Sequence, residues 1–216
     1  MFIASDDKLN KLRDMPYAFI NNQTIKRVRS SKSLGVYIDK RLAWTEKIDK
    51  ASKKISSATG GLKQVRPFVD KETAIIIYKS LIQPIFYYCD IVWDNLPLTQ
   101  AIPLQKLQNR AARVINQVGY DIRSHTIREE LGWETLVSRR LKHKAIMMYK
   151  VLNGLAPSYL SELFQFNSTS LTYGLRERGT NVVLAKPKTE YLKKSFKFPE
   201  QNYGTIYRWS LKCKIR

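Results

Sequence analysis

The spacing of apolar residues after Trp44 places the strongest constraint on the fold. These residues recur at alternating steps of three and four, which puts them on one face of an α-helix with 3.6 residues per turn. The residues on this face are Ile48, Ala51, Ile55, Ala58, Leu62 and Val65. Four lysines fall off this face and are expected to point to solvent or to a partner: Lys47, Lys50, Lys54 and Lys63. Arg66-Pro67 is expected to end the helix.

Four further stretches show the same helical period. The second helix is predicted to start after Asp70, a good N-cap residue, and Pro84 should kink it or split it in two. Ser124 is predicted to cap the short fourth helix. Glycine is common just after a helix C-terminus, and one glycine follows each of the last three helical stretches. These glycines are Gly119, Gly132 and Gly154.

Residues 1–42 are predicted to form short strands and turns, because β-branched and aromatic residues stand between polar breaks. Asn21-Asn22 is typical of a hairpin turn, and Gly35 within an apolar strand indicates a close backbone approach or a bulge. The predicted fold is mainly α with a small antiparallel β element at the N-terminus, an α+β chain with a helical bundle. We divide it into a β region (1–42), helical regions (43–118 and 119–166) and a basic, poorly structured tail (167–216).

The charge balance favours a polyanionic partner. The chain has 38 Lys and Arg against 18 Asp and Glu, a formal net charge of +20 and a pI near 10.0. Nucleic acid is the first expected partner, and an anionic membrane surface is a distant second. The longest apolar stretch, "LIQPIFYYCDIVW", is too short to span a bilayer. Two cysteines and two histidines without CxxC or HxxxH spacing predict no zinc site, and they fit a reducing intracellular compartment.

Asp6-Asp7, after "MFIAS", looks like the paired carboxylates of a polymerase palm. Two-metal nucleotidyl transfer needs carboxylates from separate elements. The residues before this pair are too few to form the partner strand that normally carries another aspartate. We therefore expect Asp6-Asp7 to lie in a turn or a helix start, with no catalytic residue, metal site or cofactor in this chain. A metal-dependent nuclease is a minor alternative. His143, within "RRLKHK", is expected on a solvated face.

Basic residues crowd the strands and turns around "SLGVYID" and continue along the next helix. Such a stripe can follow a phosphate backbone without reading bases. An ordinary solvated face rich in lysine is the open alternative. The residues predicted to contact phosphates are Lys26, Arg27, Arg29, Lys32, Lys47, Lys50 and Lys54, with Arg110 and Arg113 chosen by helical phase on a later helix.

Four blocks in this order resemble one family. They are "INNQTIKRVRSSKSLGVYIDKRLAWTEKI", "LIQPIFYYCDIVWDN", "LQKLQNRAARVI" and "LGWETLVSRRLKHKAIMMYKVLNGLAPSYL". Together they are similar to the C-terminal part of reverse transcriptases from jockey-like non-LTR (LINE-type) retrotransposons. The resemblance extends from residue 1 to about Phe198.

This resemblance implies roles for parts of the chain. "SLGVYID" would be a primer-grip motif, with Leu34, Gly35 and Val36 against the primer strand. The segment from Trp44 to about Asn116 would be a thumb that cradles an RNA/DNA template–primer. The protein would be intracellular, in the nucleus or the cytoplasm. Asp6-Asp7 would fall in a loop of variable polar residues. Fingers and palm, with both metal-binding aspartate motifs, are expected to be missing, so Mg²⁺ and polymerase activity would belong to the full-length polymerase.

Two other interpretations stay open. A thumb without its palm would expose an apolar surface, which predicts a non-catalytic helical protein-interaction module or self-association. After "KKSFKF" the chain reads "PEQNYGTIYRWSLKCKIR" and departs from the family pattern. That departure suggests a frameshift or a misjoined gene end, and hence a functionless pseudogene product.

Overall fold

The computed structural model describes residues 3, 17–26, 28–166 and 182–183. They belong to two compact units, the first covering residues 1–89 and 96–136, and the second covering residues 90–95 and 137–216. These ranges are mainly helical with a small antiparallel β element near the N-terminus, which confirms the predicted fold class. The predictions for Asp6-Asp7, Arg27 and most of the tail lie outside the described residues.

The first hairpin confirms the turn predicted at Asn21-Asn22. Strand β1 (Phe19–Ile20) pairs antiparallel with β2 (Gln23–Thr24). The φ angles of Asn21 and Asn22 are 48° and 60°. Two successive positive φ angles define a type I′ turn, whose twist matches that of the flanking strands, and asparagine tolerates this conformation.

The second hairpin corrects the interpretation of "SLGVYID" as one strand. Strand β3 (Ser30–Ser33) pairs antiparallel with β4 (Val36–Asp39). Leu34 and Gly35 form the two-residue turn between them, with φ angles of 44° and 78°. Gly35 is therefore not inside a strand. Its positive φ is a conformation that glycine adopts without a steric penalty.

Helix α1 (Thr45–Val65) follows. A 3₁₀ turn (Arg66–Phe68) comes directly after it, which confirms the helix end that was predicted at Arg66-Pro67. Lys47 is only 7% exposed, so the prediction that it faces outward is wrong. Val65, the last residue of the predicted apolar face, is 43% exposed. The predicted residues that are buried are Ile48, Ala51, Ile55 and Leu62.

The second predicted helix is split at Pro84. Helix α2 (Lys71–Ile77) continues into a π-helical turn (Tyr78–Ile82) and then into α3 (Gln83–Tyr87). Proline has no N–H to donate, and its ring clashes with a carbonyl of the preceding turn. The wider π turn directly before Pro84 accommodates both effects.

Capping residues mark some of the helix ends. The Asp70 side chain accepts a hydrogen bond from the Thr73 N–H at 2.8 Å, which confirms the predicted N-cap, and hydrogen bonding from Thr73 lowers the pKa of Asp70. Gly132 and Gly154, with φ angles of 65° and 69°, follow helices as predicted. Gln117, with φ of 54°, ends the third predicted helix two residues before Gly119.

The remaining elements complete the two units. In the first unit α4 is Leu98–Asn116 and α5 is Ser124–Glu130. Ser124 is thus the first residue of its helix, and the prediction that it is the N-cap is wrong. Helices α6 (Leu136–Leu152) and α7 (Ser158–Ser161) follow. In the second unit two short strands pair antiparallel, β5 (Gln165–Phe166) with β6 (Val182–Val183).

Each unit has its own apolar core. In the first unit α1 packs against α4, the π turn and β4, which brings Ile55, Ile82 and Ile115 together in full burial. The second unit buries a smaller cluster. Its residues are Met148, Val151 and Phe164, with Met147, Leu152, Ala156 and Leu160 packed around them.

Candidate nucleic-acid interface

The connection from β4 to α1 holds the second hairpin beside the helix. The Asp39 carboxylate accepts hydrogen bonds from the N–H groups of Arg41 and Ala43, at 3.0 and 2.9 Å. Side chains of aspartate often stabilise a tight turn in this way. β4 then packs against α1, and Val36 is buried. Leu34 at the hairpin turn is 88% exposed, so an apolar side chain projects from the surface.

Tyr88 anchors the hairpin turn. Its hydroxyl donates a hydrogen bond to the Leu34 carbonyl oxygen at 2.5 Å. A Cβ atom on Gly35 would lie 3.3 Å from Cε1 of the Tyr88 ring. The close approach predicted at Gly35 therefore exists, and the group that approaches is this tyrosine ring. Sequence reasoning missed Tyr88, because 54 residues separate it from Leu34 along the chain.

Gly35→Ala is expected to destabilise the first unit by about 1 to 2 kcal/mol, since alanine is disfavoured at a positive φ. The added methyl would also crowd the Tyr88 ring. Urea denaturation measures this change. Gly61→Ala is the matched control, because it lies inside α1 with no atom within 4 Å of an added Cβ. The control should be stabilised by about 1 kcal/mol, and equal effects in both variants would contradict the expected strain.

Lys47 lies behind the same tyrosine. Its ammonium nitrogen is 5.5 Å from the centroid of the Tyr88 ring, within the range of a cation–π contact. Burial lowers the pKa of Lys47. Lys47 thus supports the anchor of the hairpin turn from the inside, and its side chain does not extend to solvent as predicted.

Tyr37 on β4 gathers two of the predicted lysines. The Lys50 nitrogen lies 3.6 Å from the centroid of the Tyr37 ring, and the Lys32 nitrogen lies 5.8 Å from it. Glu46 forms an ion pair with Lys50 at 2.8 Å, and hydrogen bonding to Glu46 raises the pKa of Lys50. Lys50 therefore stays charged at neutral pH. Lys32 is the cross-strand partner of Tyr37 in the hairpin.

We define the hairpin–α1 surface as Lys32, Leu34, Tyr37, Lys50 and Lys54. Lys54 is exposed and lies one turn after Lys50, so both lysines lie along one side of α1. Two more predicted residues, Lys26 and Arg29, are exposed in the segment between the two hairpins. The structure thus gathers three predicted lysines and the exposed leucine where the hairpin meets the helix.

Arg110 and Arg113 lie elsewhere in the first unit. They line a pocket with Lys63 and Arg66, at the C-terminal ends of α4 and α1. Lys54, the last lysine of the hairpin–α1 surface, and Lys63 are nine residues apart on α1, which at 1.5 Å per residue corresponds to about 14 Å. The predicted phosphate contacts therefore divide between two places, and helical phase alone did not reveal this division.

The second unit contains a polar cluster around Asp90 and Asp94. His143 Nδ1 lies 2.6 Å from Asp90 Oδ2, so the prediction that His143 is on a solvated face is wrong. Burial raises the pKa of Asp90, and the hydrogen bond to His143 opposes that effect. Asp94 forms ion pairs with Lys144 and, at 3.7 Å, with the buried Arg140.

Within residues 3, 17–26, 28–166 and 182–183, no group of three or more His, Cys, Asp or Glu side chains is placed to hold a metal ion. No helix in the part of the chain that the structure describes is long and apolar enough to cross a membrane.

Comparison with known proteins relates the chain to part of a transposon polymerase. It is 22% identical over 138 residues to a protein described as "Probable RNA-directed DNA polymerase from transposon X-element" of Drosophila melanogaster. The match covers 62% of this chain and 15% of that protein, so the chain spans only a small part of its relative. No family model matches the chain, and no solved structure matches it. The similarity supports a region related to non-LTR reverse transcriptases.

Proposed function

We propose that this chain is a segment of a non-LTR retrotransposon reverse transcriptase and binds template–primer nucleic acid in the cell. The β3–β4 hairpin acts as the primer grip, and α1 to α4 form the thumb. Fingers and palm supply the catalytic aspartates and Mg²⁺ in the full-length polymerase, so this chain catalyses no polymerisation alone. The observation that carries the proposal is the hairpin–α1 surface, where lysines flank an exposed apolar turn.

The electrostatics of this surface suit a phosphate backbone. Lys32, Lys50 and Lys54 lie on it, with Lys47 behind them and Glu46 as the acidic neighbour. The three lysines of the surface and this glutamate leave a net charge of +2. Counterions released from the nucleic acid by such lysines favour binding without any contact to a base edge.

The exposed turn adds an apolar contact. The backbone of the exposed Leu34 is held in position by the hydrogen bond that its carbonyl oxygen accepts from the Tyr88 hydroxyl. Because the backbone of this two-residue turn is already ordered, a leucine there can pack against sugars with little further loss of backbone entropy. Gly35 provides room for the tyrosine that orders it.

Fluorescence anisotropy with a labelled RNA–DNA hybrid tests the proposed binding. We expect binding at 50 mM salt and an affinity that falls steeply by 200 mM, because phosphate contacts release counterions. The absence of a measurable complex at 50 mM salt would contradict the proposal.

Leu34→Glu should weaken hybrid binding about tenfold, because a carboxylate at the turn would face the phosphates. Phe68→Glu is the matched control, since Phe68 is 86% exposed in the 3₁₀ turn at the other end of α1. This control should change the affinity less than threefold. Equal losses in the two variants would show that overall charge, and not the hairpin turn, governs binding.

Exposed apolar side chains favour self-association or partner binding as a second candidate function. Phe68, Ile76 and Leu81 are 86%, 62% and 62% exposed in the first unit. Exposed apolar patches are typical of interaction surfaces. Light scattering distinguishes the candidates, because a monomer that binds the hybrid tightly would disfavour this second function.

A further inference from the structure

A concave pocket in the first unit lies apart from the hairpin–α1 surface. Its volume is about 370 Å³, and it lies where α1 and α4 end. Small-molecule sites typically have volumes of roughly 300 to 1,000 Å³. Among the described residues that line the pocket, four are basic and none is acidic. The basic residues are Lys63, Arg66, Arg110 and Arg113.

Two of these arginines form the walls of the pocket. Arg66 donates from Nε to the Ile115 carbonyl oxygen at 2.7 Å. Arg113 donates to the carbonyl oxygens of Gly119 and Ile122, at 3.2 and 3.1 Å. The Ile115 carbonyl lies in the last turn of α4, where carbonyl oxygens carry partial negative charge that the Arg66 guanidinium offsets. Arg113 instead holds the segment that follows α4 through the carbonyl groups of Gly119 and Ile122. Arg66 and Arg113 therefore help to fix the shape of the pocket, and the Asp121 carboxylate, which lies beside the lining residue Gly119, is an acidic group near it.

The other two cations are available to an anion. Lys63 and Arg110 are exposed on α1 and α4, and both line the pocket. Neither side chain forms a hydrogen bond or an ion pair with any residue that the structure describes. A phosphate group could bind here without breaking an existing contact, and charge-assisted hydrogen bonds to arginine are among the strongest in proteins.

An exposed aromatic ring stands at the same pocket. Tyr120 is 81% exposed, and its ring centroid lies 4.9 Å from the guanidinium carbon of Arg113. This contact holds the ring at the pocket while most of its surface stays open. Stacking of a base on such a ring is independent of sequence, because every base has a π face. Val114 and Pro67 add apolar lining.

We propose that this pocket binds a nucleotide whose base is unpaired, with its phosphate at Lys63 and Arg110 and its base stacked on Tyr120. A free mononucleotide and an unpaired nucleotide within a single strand share this chemistry. A base inside a duplex has both faces covered by its neighbours and cannot stack on the ring, so the ligand differs from the template–primer duplex of the hairpin–α1 surface. The inference stands independently of that surface, because Lys63 lies nine residues beyond Lys54 on α1, about 14 Å along the helix axis.

Calorimetric titration of the full chain with adenosine 5′-monophosphate tests the pocket. Arg110→Gln and Tyr120→Ser should each weaken binding about tenfold, whereas Tyr120→Phe, which keeps the ring, should change it less than twofold. Lys106→Gln is the matched control, because Lys106 is exposed one turn earlier on α4 and does not line the pocket. Lys106 and Arg110 are both exposed, so neither replacement removes a buried group.

Inorganic phosphate and a short labelled oligodeoxythymidine complete the test. Phosphate should bind at least tenfold more weakly than the mononucleotide, because it has no base to stack. Strand binding that falls in Arg110→Gln and Tyr120→Ser but not in Leu34→Glu identifies a single strand as the source. If Arg110→Gln and Tyr120→Ser leave the affinity for the strand unchanged, the ligand of the pocket is the free nucleotide. Equal affinities for phosphate and mononucleotide, or equal losses in Lys106→Gln and Arg110→Gln, would overturn the proposal.

Discussion

Asp94→Ala is expected to lower the free energy of unfolding of the second unit by about 3 to 5 kcal/mol, the usual cost of removing one partner of a buried ion pair. Arg140 is 2% exposed, stacks 4.9 Å from the Trp93 ring and forms its ion pair with Asp94. Its Nε and Nη2 atoms already have no hydrogen-bond acceptor among the described residues. Removal of Asp94 would leave this buried cation without its directly paired carboxylate, and only the charge of Asp90 would still compensate it. Denaturation followed by tryptophan fluorescence measures the loss.

The control for Asp94 is an aspartate in an exposed ion pair. Asp49→Ala removes the partner of Lys53, at 2.8 Å on the surface of α1, and should cost about 0.5 kcal/mol or less. Arg140→Met in the Asp94→Ala background should recover most of the loss, because the orphaned charge is then gone. Lys144, the other partner of Asp94, can extend its ammonium group to water. No recovery in the double variant would contradict this explanation.

Tyr88→Ala is expected to weaken hybrid binding at least tenfold and to destabilise the first unit by about 2 kcal/mol. The variant loses the hydrogen bond to the Leu34 carbonyl and the ring beside Lys47 and Gly35. A two-stranded hairpin is marginally stable alone, so the turn should lose its fixed position on the helix. Anisotropy with the RNA–DNA hybrid and urea denaturation, measured on the same variant, provide the two readouts.

Tyr88→Phe separates the ring from the hydroxyl. It keeps the contacts with Lys47 and Gly35 and loses one hydrogen bond, so it should cost about 1 kcal/mol. Hybrid affinity should fall less than threefold, since the ring still supports the turn. An unchanged affinity in Tyr88→Ala would show that the hairpin is not positioned by this tyrosine, or that it is not part of the binding surface.

Local chemistry predicted several features of the fold correctly. The turn at Asn21-Asn22, the N-cap at Asp70 and the interruption before Pro84 each depend on a few neighbouring residues. The buried face of α1 follows from periodicity, which requires only an apolar stripe and a core to cover. Such features can be predicted because the same short segment supplies both the cause and the effect.

The features that sequence reasoning missed depend on contacts between distant residues. Lys47 lies off the apolar stripe of α1, yet the Tyr88 ring packs beside it and buries it. His143 lies in a basic stretch, yet Asp90, 53 residues earlier, pairs with it. No periodicity encodes these partners. A polar residue at a position next to the buried face of a helix is the only local signal that either pairing offers.

The candidate interface was predictable in part for the same reason. Lys32, Lys50 and Lys54 were chosen because they cluster near one strand and one helix, and the fold keeps neighbours in sequence close in space. Arg110 and Arg113 were chosen because they lie on the predicted outward face of α4. The position of a residue on that face does not tell which end of α1 lies beside it, and both arginines lie beside the C-terminal end. Whether any of these residues contacts nucleic acid stays a prediction.

The salt dependence of hybrid binding in a triple variant tests the central proposal most directly. Wild type and Lys32→Gln/Lys50→Gln/Lys54→Gln would be compared by the slope of log affinity against log salt concentration. A variant with Lys79, Lys106 and Lys150 replaced by glutamine has the same net charge and serves as the control, because these lysines are exposed elsewhere. Each lost phosphate contact should make the slope less negative by about 0.9, so the slope of the first variant should be smaller in magnitude by roughly 2 to 3. The control should keep the wild-type slope. Equal slopes in both variants would contradict the proposal that the hairpin–α1 surface holds the template–primer.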